Sequence, residues 1–463
     1  MGSIKEALIL YCLLLCFGFD AAQCKQSIAV QAYIYGYPLV LMEVTRRMGL
    51  RQLAKINGVD PINRFAHTRD FLTPAFTTVV SPNVDTLYSI AWIDLSHGPL
   101  ILQVPDTKGH YYVMQFLDAW TNTFANPGTR TTGSQAQQFI LIGPDYKGVI
   151  PEGYTEIRAP TPLVWIIGRT QCDGLQDFKA VHQIQQGYRL MPFNNTLKNN
   201  ILGNNVMKVP LLLILDDAKS ISPNEIVDGM DAYTFFTLMM RLMKINKPAD
   251  KDIVLLKKIA LLGLDSERDF SFYALKPEII KELESAVKVA QQEIKNKLSN
   301  MQCNQTGWVM SNLHRLGSYG ANYMLRAITA RFVLGANLPE DAVYAYTEHD
   351  ACGHMLDGRY RYKIHFSAER LPPVNAFWSL TLYNKEHFLA ENSLNRYAIH
   401  YYDALEYNPD GSFDIYIQYK KPRKLLNNWL PTPQGIFNLI LRLYWPKQAV
   451  LQGQWLPPLI EKC

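Results

Sequence analysis

The densest chemistry in the chain is one short run, Ser81-Pro82-Asn83-Val84-Asp85-Thr86-Leu87-Tyr88-Ser89. It sets an amide, a carboxylate, hydroxyls and a phenol inside an otherwise apolar stretch. Buried polar groups must find hydrogen-bond partners or destabilise the fold, so a strand does not carry this many without a use for them. On a strand that starts here, Asn83 and Asp85 share one face and Thr86 and Tyr88 the other. Two uses fit. Asp85 acts as a general acid or base, with Asn83 as an amide donor and Tyr88 assisting. Alternatively, Asn83 and Asp85 cap backbone amides in an Asx-type turn that feeds the strand, a role suited to Asn83 after Pro82.

A second group follows at the end of an aromatic strand, where Asp118, Asn122, Asn126 and Arg130 alternate with Trp120 and Phe124. Strand-end loops often carry sites. Asp118 is a second candidate for proton transfer, and Trp120 could face a ligand. Arg130 could clamp a carboxylate or phosphate through two nitrogens. If it instead pairs with Asp85 or Asp118, it lowers that carboxyl's pKa and argues against a base at neutral pH. Tyr383, Arg396 and Arg442 place a phenol and two guanidiniums beside aromatic strands. They either bind substrate or join the strands to Trp429, Tyr444 and Trp445.

The run 348–354 (Glu-His-Asp-Ala-Cys-Gly-His) gathers metal-ligand residue types. His349 and His354 are five apart, wrong for one helix face, and no further ligand set lies nearby. The reading is a polar loop without metal, with Cys352 free or in a disulfide. The chain lacks a Gly-x-Ser-x-Gly elbow, a Gly-rich dinucleotide fingerprint, a phosphate loop and a His-Glu-x-x-His motif. No organic cofactor is expected.

The elements that must position these residues change character along the chain. Residues 25–50 read as a helix that Pro38 kinks or divides. Residues 77–169 and those after 356 read as short strands, bounded by Pro, Gly and Asp. The segment 174–300 is mostly helical, and Ile280, Leu283, Val287, Ala290, Ile294 and Leu298 mark an amphipathic helix over 277–299. Residues 100–120 and 362–384 repeat one pattern of strand, Pro-containing turn and aromatic strand. This predicts an α+β fold: two β-sandwich (jelly-roll-like) units with a helical segment inserted between them.

The net charge of +5 over 463 residues gives no case for nucleic acid. Lys5, the apolar residues 7–19 and the small residues before Cys24 resemble a secretory signal peptide, with a signal anchor as the alternative. No later segment is apolar enough for a stable membrane span. Export permits disulfides, and Asn194 and Asn304 head glycosylation sequons.

Residues 81–89, the strand Tyr111-Tyr112-Val113-Met114-Gln115-Phe116-Leu117-Asp118 and the loop Gly128-Thr129-Arg130-Thr131-Thr132-Gly133 resemble the domain of unknown function 1254. Residues 372–383, Asn395-Arg396-Tyr397, Asn428-Trp429-Leu430-Pro431 and 441–446 resemble its companion, the domain of unknown function 1214. The resemblance implies a two-domain, β-rich, often exported protein and no particular reaction. The expected division is a signal peptide at 1–24, a β-rich domain at 28–172, a helical segment at 173–345 and a β-sandwich at 346–463. Two functions fit. One is a secreted hydrolase or lyase acting on a small or oligomeric substrate by carboxylate and tyrosine chemistry. The other is a secreted binding protein for a carbohydrate, lipid or other hydrophobic ligand. Either allows a homo-oligomer.

Overall fold

A computed structural model describes residues 26–57, 61–76, 81–193, 221–298, 305–310 and 316–463. The N-terminal apolar run, both sequon asparagines, Cys24 and Cys303 lie outside the described residues.

Alternation of side chains builds the first sandwich. Its larger sheet orders β1 (Phe65–His67), β2 (Thr86–Asp94), β8 (Leu163–Gln171), β4 (Tyr112–Asp118) and β5 (Thr123–Ala125). The smaller sheet orders β7 (Thr155–Arg158), β6 (Gln137–Ile142), β3 (Leu100–Val104) and β9 (Arg189–Pro192). Ala91, Ile93, Met114, Phe116 and Ile166 from the first sheet meet Leu100, Leu102, Phe139 and Leu141 from the second. α2 (Phe178–Gly187) closes one end through Ile184.

The second sandwich repeats this plan. One sheet orders β10 (Val309–Met310), β11 (Ala342–Thr347), β17 (Phe437–Tyr444), β13 (Trp378–Asn384) and β14 (Ala398–His400). The other orders β16 (Trp429–Pro431), β15 (Phe413–Gln418), β12 (Tyr362–Phe366) and β18 (Ile460–Lys462). Adding nine to each strand number of the first unit gives the strand order of the second. The senses agree as well: β6·β7 and β15·β16 are parallel, and every other pair is antiparallel. The faint repeat in the sequence is therefore a full topological one.

These sheets move the expected boundaries. β9 carries the first unit past residue 172, and β10 and β11 begin the second before 346. β9 and β10 are edge strands of four and two residues, too short to stand out from the helical segment around them.

The helical lobe forms around α1 (Ile28–Asn57), packed by α3 (Pro223–Asp228), α4 (Ala232–Ile245), α5 (Ile253–Ala260), α6 (Pro277–Leu298) and α7 (Tyr323–Val333). Of the two expectations for Pro38, division of α1 does not occur: the helix runs through it. Tyr33, Tyr35, Tyr37, Leu39 and Leu41 are buried on both sides of it, and that packing outweighs the lost backbone bond. α6 ends within one residue of the periodicity reading. No helix among the described residues is long and apolar enough to cross a membrane.

Candidate functional site

The two large sheets are buried on both faces. One face of each lies inside its own sandwich; the other face of the first unit's sheet is shared between α1, through Met42 against Trp92, Leu117 and Ile167, and the second unit. In β13, Trp378, Leu380 and Leu382 enter the sandwich core, while Ser379 and Thr381, equally buried, face the seam. Tyr111 and Val113 of the first unit pack there with Phe377 and Tyr444 of the second. Asp85 of the sequence run enters this seam, whereas Ser89 Oγ meets His67 Nδ1 at 2.9 Å within the first unit.

Asn83 takes the capping role. Its Oδ1 accepts from the amides of Asp85 and Thr86, each at 3.0 Å, and its Nδ2 donates to the Tyr88 hydroxyl at 2.6 Å. Asp85 does not cap its own turn. Its Oδ2 accepts from Ser379 Oγ and Tyr444 Oη of the second unit, both at 2.8 Å. His400 Nε2 lies 3.3 Å from Oδ1 and 3.2 Å from the Val84 carbonyl, so two acceptors require this nitrogen to carry the proton. Burial pushes the Asp85 carboxyl up, but His400, Arg442 and the Ser379 hydroxyl outweigh it and hold the carboxyl below its ordinary value.

Arg442 is buried beside it. It donates to Thr381 Oγ1 at 2.9 Å, the Ser81 carbonyl at 2.8 Å and the Tyr383 hydroxyl at 2.6 Å. Tyr383 in turn donates to the Pro82 carbonyl at 2.7 Å. Burial raises the Tyr383 phenol to about 12 despite Arg442, so it remains a donor.

The repeat supplies counterparts for the aspartate, a ring-stacked tyrosine and the arginine of this cluster. Tyr88 stands opposite Arg169 in β2·β8, as Tyr344 stands opposite Arg442 in β11·β17. Each guanidinium lies over its tyrosine ring, at 5.6 and 5.9 Å. Asp85 and Asp341 each immediately precede the second strand of their unit and three residues later comes that tyrosine. Each aspartate is held by the opposite unit. Arg130 grips Asp341 through Nε at 2.7 Å and Nη2 at 3.0 Å, and Asn126 also donates to it. Arg169 reaches the Gly335 carbonyl at 3.0 Å and Asn337 at 2.7 Å, as Arg442 reaches Ser81. The units thus clasp each other reciprocally about a pseudo-two-fold relation.

Asp118 does not join Asp85. Register along β8 sets Asp118 beside Val164, whereas Asp85 adjoins Cys172, through the Cys172 amide bond to its carbonyl. That separation of eight strand residues is roughly 26 Å. Asp118 Oδ1 accepts from the amides of Trp120 and Asn122, both at 2.9 Å, and Oδ2 from Asn122 Nδ2 at 2.9 Å. Asn384 ends β13 as Asp118 ends β4, and it accepts from the amides of Glu386 and Phe388 in the same way, at 3.1 and 2.9 Å. Thr121 and His387, three residues on, have φ of 69° and 64°. An amide that cannot transfer protons holds the equivalent turn, so the Asp118 carboxylate is a turn cap. Burial raises its pKa against the Asn122 hydrogen bonds. Asp118→Asn should therefore leave the melting temperature within a few degrees of wild type, and Asp118→Ala should lower stability by about 1 kcal/mol or more; differential scanning calorimetry on both variants checks the pair.

The remaining expected site residues also have structural partners. Trp120 donates to the Asn246 carbonyl at 3.1 Å and packs in the helical core. Arg396 holds the carbonyls of Leu426 and Asn427 and the Asp403 carboxylate. Among the described cysteines, Cys172, Cys352 and Cys463 are free. Sequence reading missed Asp341, Arg169, Ser379 and His400. The paired Asp-x-x-Tyr spacings at 85–88 and 341–344 are the signal that would have found Asp341.

Where the clasp reaches the surface it forms a cleft of about 360 Å³ lined by Arg130, Glu340, Asn375, Trp445, Lys447 and Gln448, among others. Asp341 organises it: its carboxylate holds Arg130, and its carbonyl accepts the Trp445 amide at 2.8 Å. The Trp445 carbonyl then accepts from the Asn375 amide at 2.8 Å. Trp445 sits at φ 47°, a strained backbone for a bulky residue. A second cleft of about 570 Å³, by Arg359 and Lys385, lies within the second unit and has no aromatic wall.

Two different family models match the two units. The family model "Protein of unknown function (DUF1254)" matches residues 62–192, and "Protein of unknown function (DUF1214)" matches residues 341–448. The crystal structure of the VPA0106 protein from Vibrio parahaemolyticus superposes with a TM-score of 0.69 at 23% identity, covering 94% of this chain and 99% of that one. An uncharacterized protein from Burkholderia cenocepacia aligns at a TM-score of 0.42 and 11% identity, over 93% of this chain and 88% of that one. A search of curated proteins finds no match.

Proposed function

We propose, for a chain that belongs to the tandem DUF1254–DUF1214 family, that it is an exported binding protein which seats a small anionic carbohydrate in the Trp445 cleft. One observation carries this reading: a single buried residue, Asp341, positions both a guanidinium and a strained tryptophan at an open cleft between the units. An aromatic face with planar amides and cations around it suits a polyhydroxylated ring bearing negative charge. Nε and Nη2 of Arg130 are committed to Asp341, which leaves Nη1 outside the salt bridge. Trp445, Pro446 and Leu451 are too small an apolar lining for a lipid chain. Export rests on the apolar N-terminal run.

A hydrolase or lyase is the second reading, favoured by one feature of Asp85. Its Oδ1 is buried without a well-formed hydrogen bond beside His400, which is partly exposed. Ser379 donates to Asp85, not to His400, so the arrangement holds no activated serine. What remains is acid–base chemistry by a carboxylate–imidazole pair.

One experiment addresses both. The purified protein is screened against neutral and acidic oligosaccharides by thermal shift, with product analysis of each mixture. A ligand at about 100 times its Kd should stabilise the fold by about 2.7 kcal/mol. Trp445→Gly, which relaxes the positive φ while removing the ring, should abolish that shift. No shift with any saccharide, or a shift unchanged in Trp445→Gly, overturns the binding reading. Turnover in the wild type that Asp85→Asn and His400→Gln both lose would replace it with the enzyme.

A further inference from the structure

The loop at 350–354, on the second unit and distant in role from the clasp, holds a site that nothing above uses. Its backbone closes on itself: the Asp350 amide donates to the His354 carbonyl at 2.8 Å and the Gly353 amide to the Asp350 carbonyl at 2.9 Å. Gly353 sits at φ 81°, a conformation that glycine adopts without strain. His349 and Met355 then pair as a bridge. The reversal brings residues 350 and 354 side by side with Cys352 at the tip. One ligand atom each from Asp350, Cys352 and His354 lie within 4.8 Å of one another.

The same turn chemistry recurs in the molecule without ligand residues. Asp118, Asn384 and Asn392 each cap the amides two and four residues on. Those positions carry Trp120 and Asn122, Glu386 and Phe388, and Leu394 and Arg396. Only here among the four do they carry a thiol and an imidazole. The carboxylate also differs. Asp350 Oδ1 caps Cys352 and His354 at 2.9 and 3.0 Å, but Oδ2 is buried and has no hydrogen-bond partner. At Asp118 the second oxygen is used by Asn122. A buried carboxylate oxygen without a donor is costly unless a cation meets it.

We infer that Asp350, Cys352 and His354 form a binding site for a divalent transition-metal ion of the zinc class. Carboxylate, thiolate and imidazole together are a borderline-soft donor set that favours Zn²⁺ or Co²⁺ over Mg²⁺ or Ca²⁺. Three protein ligands leave a fourth position for water or an incoming group. Cys352 and His354 are exposed, so the ion can enter and leave. Binding releases the thiol proton to solvent.

The test titrates the full-length protein with Co²⁺, then competes it with Zn²⁺. A thiolate-to-Co²⁺ charge-transfer band should appear at one ion per chain and be displaced by Zn²⁺. Cys352→Ser should lose the band. His354→Gln and Asp350→Asn should each weaken binding by at least about tenfold, the lower end of what loss of an outer partner costs. Asp350→Asn keeps the turn, as Asn384 does, so its loss of affinity would not be a loss of fold; an unchanged circular-dichroism melt verifies this. Co²⁺ bound without the band, or affinity unchanged in Cys352→Ser and His354→Gln, overturns the site.

Discussion

Replacing Arg442 by methionine is expected to cost roughly 3–5 kcal/mol, because it removes one partner of a buried charge cluster and leaves the other in place. Asp85 would remain ionised in the seam, with His400, Ser379 and Tyr444 as its remaining partners. The Ser81 carbonyl, Thr381 and the Tyr383 hydroxyl would also each lose a donor. The counterpart Arg169→Met is expected to cost less, about 1–3 kcal/mol. Its hydrogen-bond partners are the neutral oxygens of Gln115, Asn337 and Gly335, so no carboxylate is abandoned. Urea unfolding of both variants reads the order directly, as a larger fall in midpoint for Arg442→Met at equal slope. Equal falls would mean that Arg442 acts only through neutral hydrogen bonds and that Asp85 does not depend on its charge.

This ordering follows from the repeat, and the repeat shows how far sequence reading could go. The periodicity of Ile280, Leu283, Val287 and Ala290 placed α6, since those side chains face one core and nothing else competes for them. The alternation in β13 was equally legible, but its meaning was not. Trp378, Leu380 and Leu382 say where the sandwich interior is. Ser379 and Thr381 alternate with them and are buried too, because a second sheet covers them. A chain records the pattern of one strand and does not record which distant strand lies against it. For the same reason the choices open for Arg130 were a substrate anion or a pairing with Asp85 or Asp118. It pairs with Asp341, 211 residues away, across a seam that only the assembled units create. Asn83 was legible as a cap because its partners, Asp85 and Thr86, are local. Asp85 was not, because its partners lie about 300 residues on.

Acid should loosen the clasp with a sign set by Asp85. Its folded carboxyl titrates below the ordinary value, so the stabilisation it contributes is complete above about pH 4 and is lost as pH falls through the lowered folded value. Asp118 runs the other way. Its folded pKa is raised, so its ionised form costs stability near neutrality and the cost is relieved as the pH falls through that raised value. Urea midpoints of wild type, Asp85→Asn and Asp118→Asn between pH 7 and pH 2 separate the two. The deficit of Asp85→Asn should be widest at neutral pH and shrink below about pH 4. Wild type should gain on Asp118→Asn from a higher pH than that, since protonation then gives it a neutral cap like the asparagine. A deficit for Asp85→Asn that stays constant to pH 2 would show that Asp85 is held for its hydrogen bonds from Ser379 and Tyr444 alone. The seam would then be a neutral polar junction, and neither His400 nor Arg442 would owe its place to the carboxylate charge.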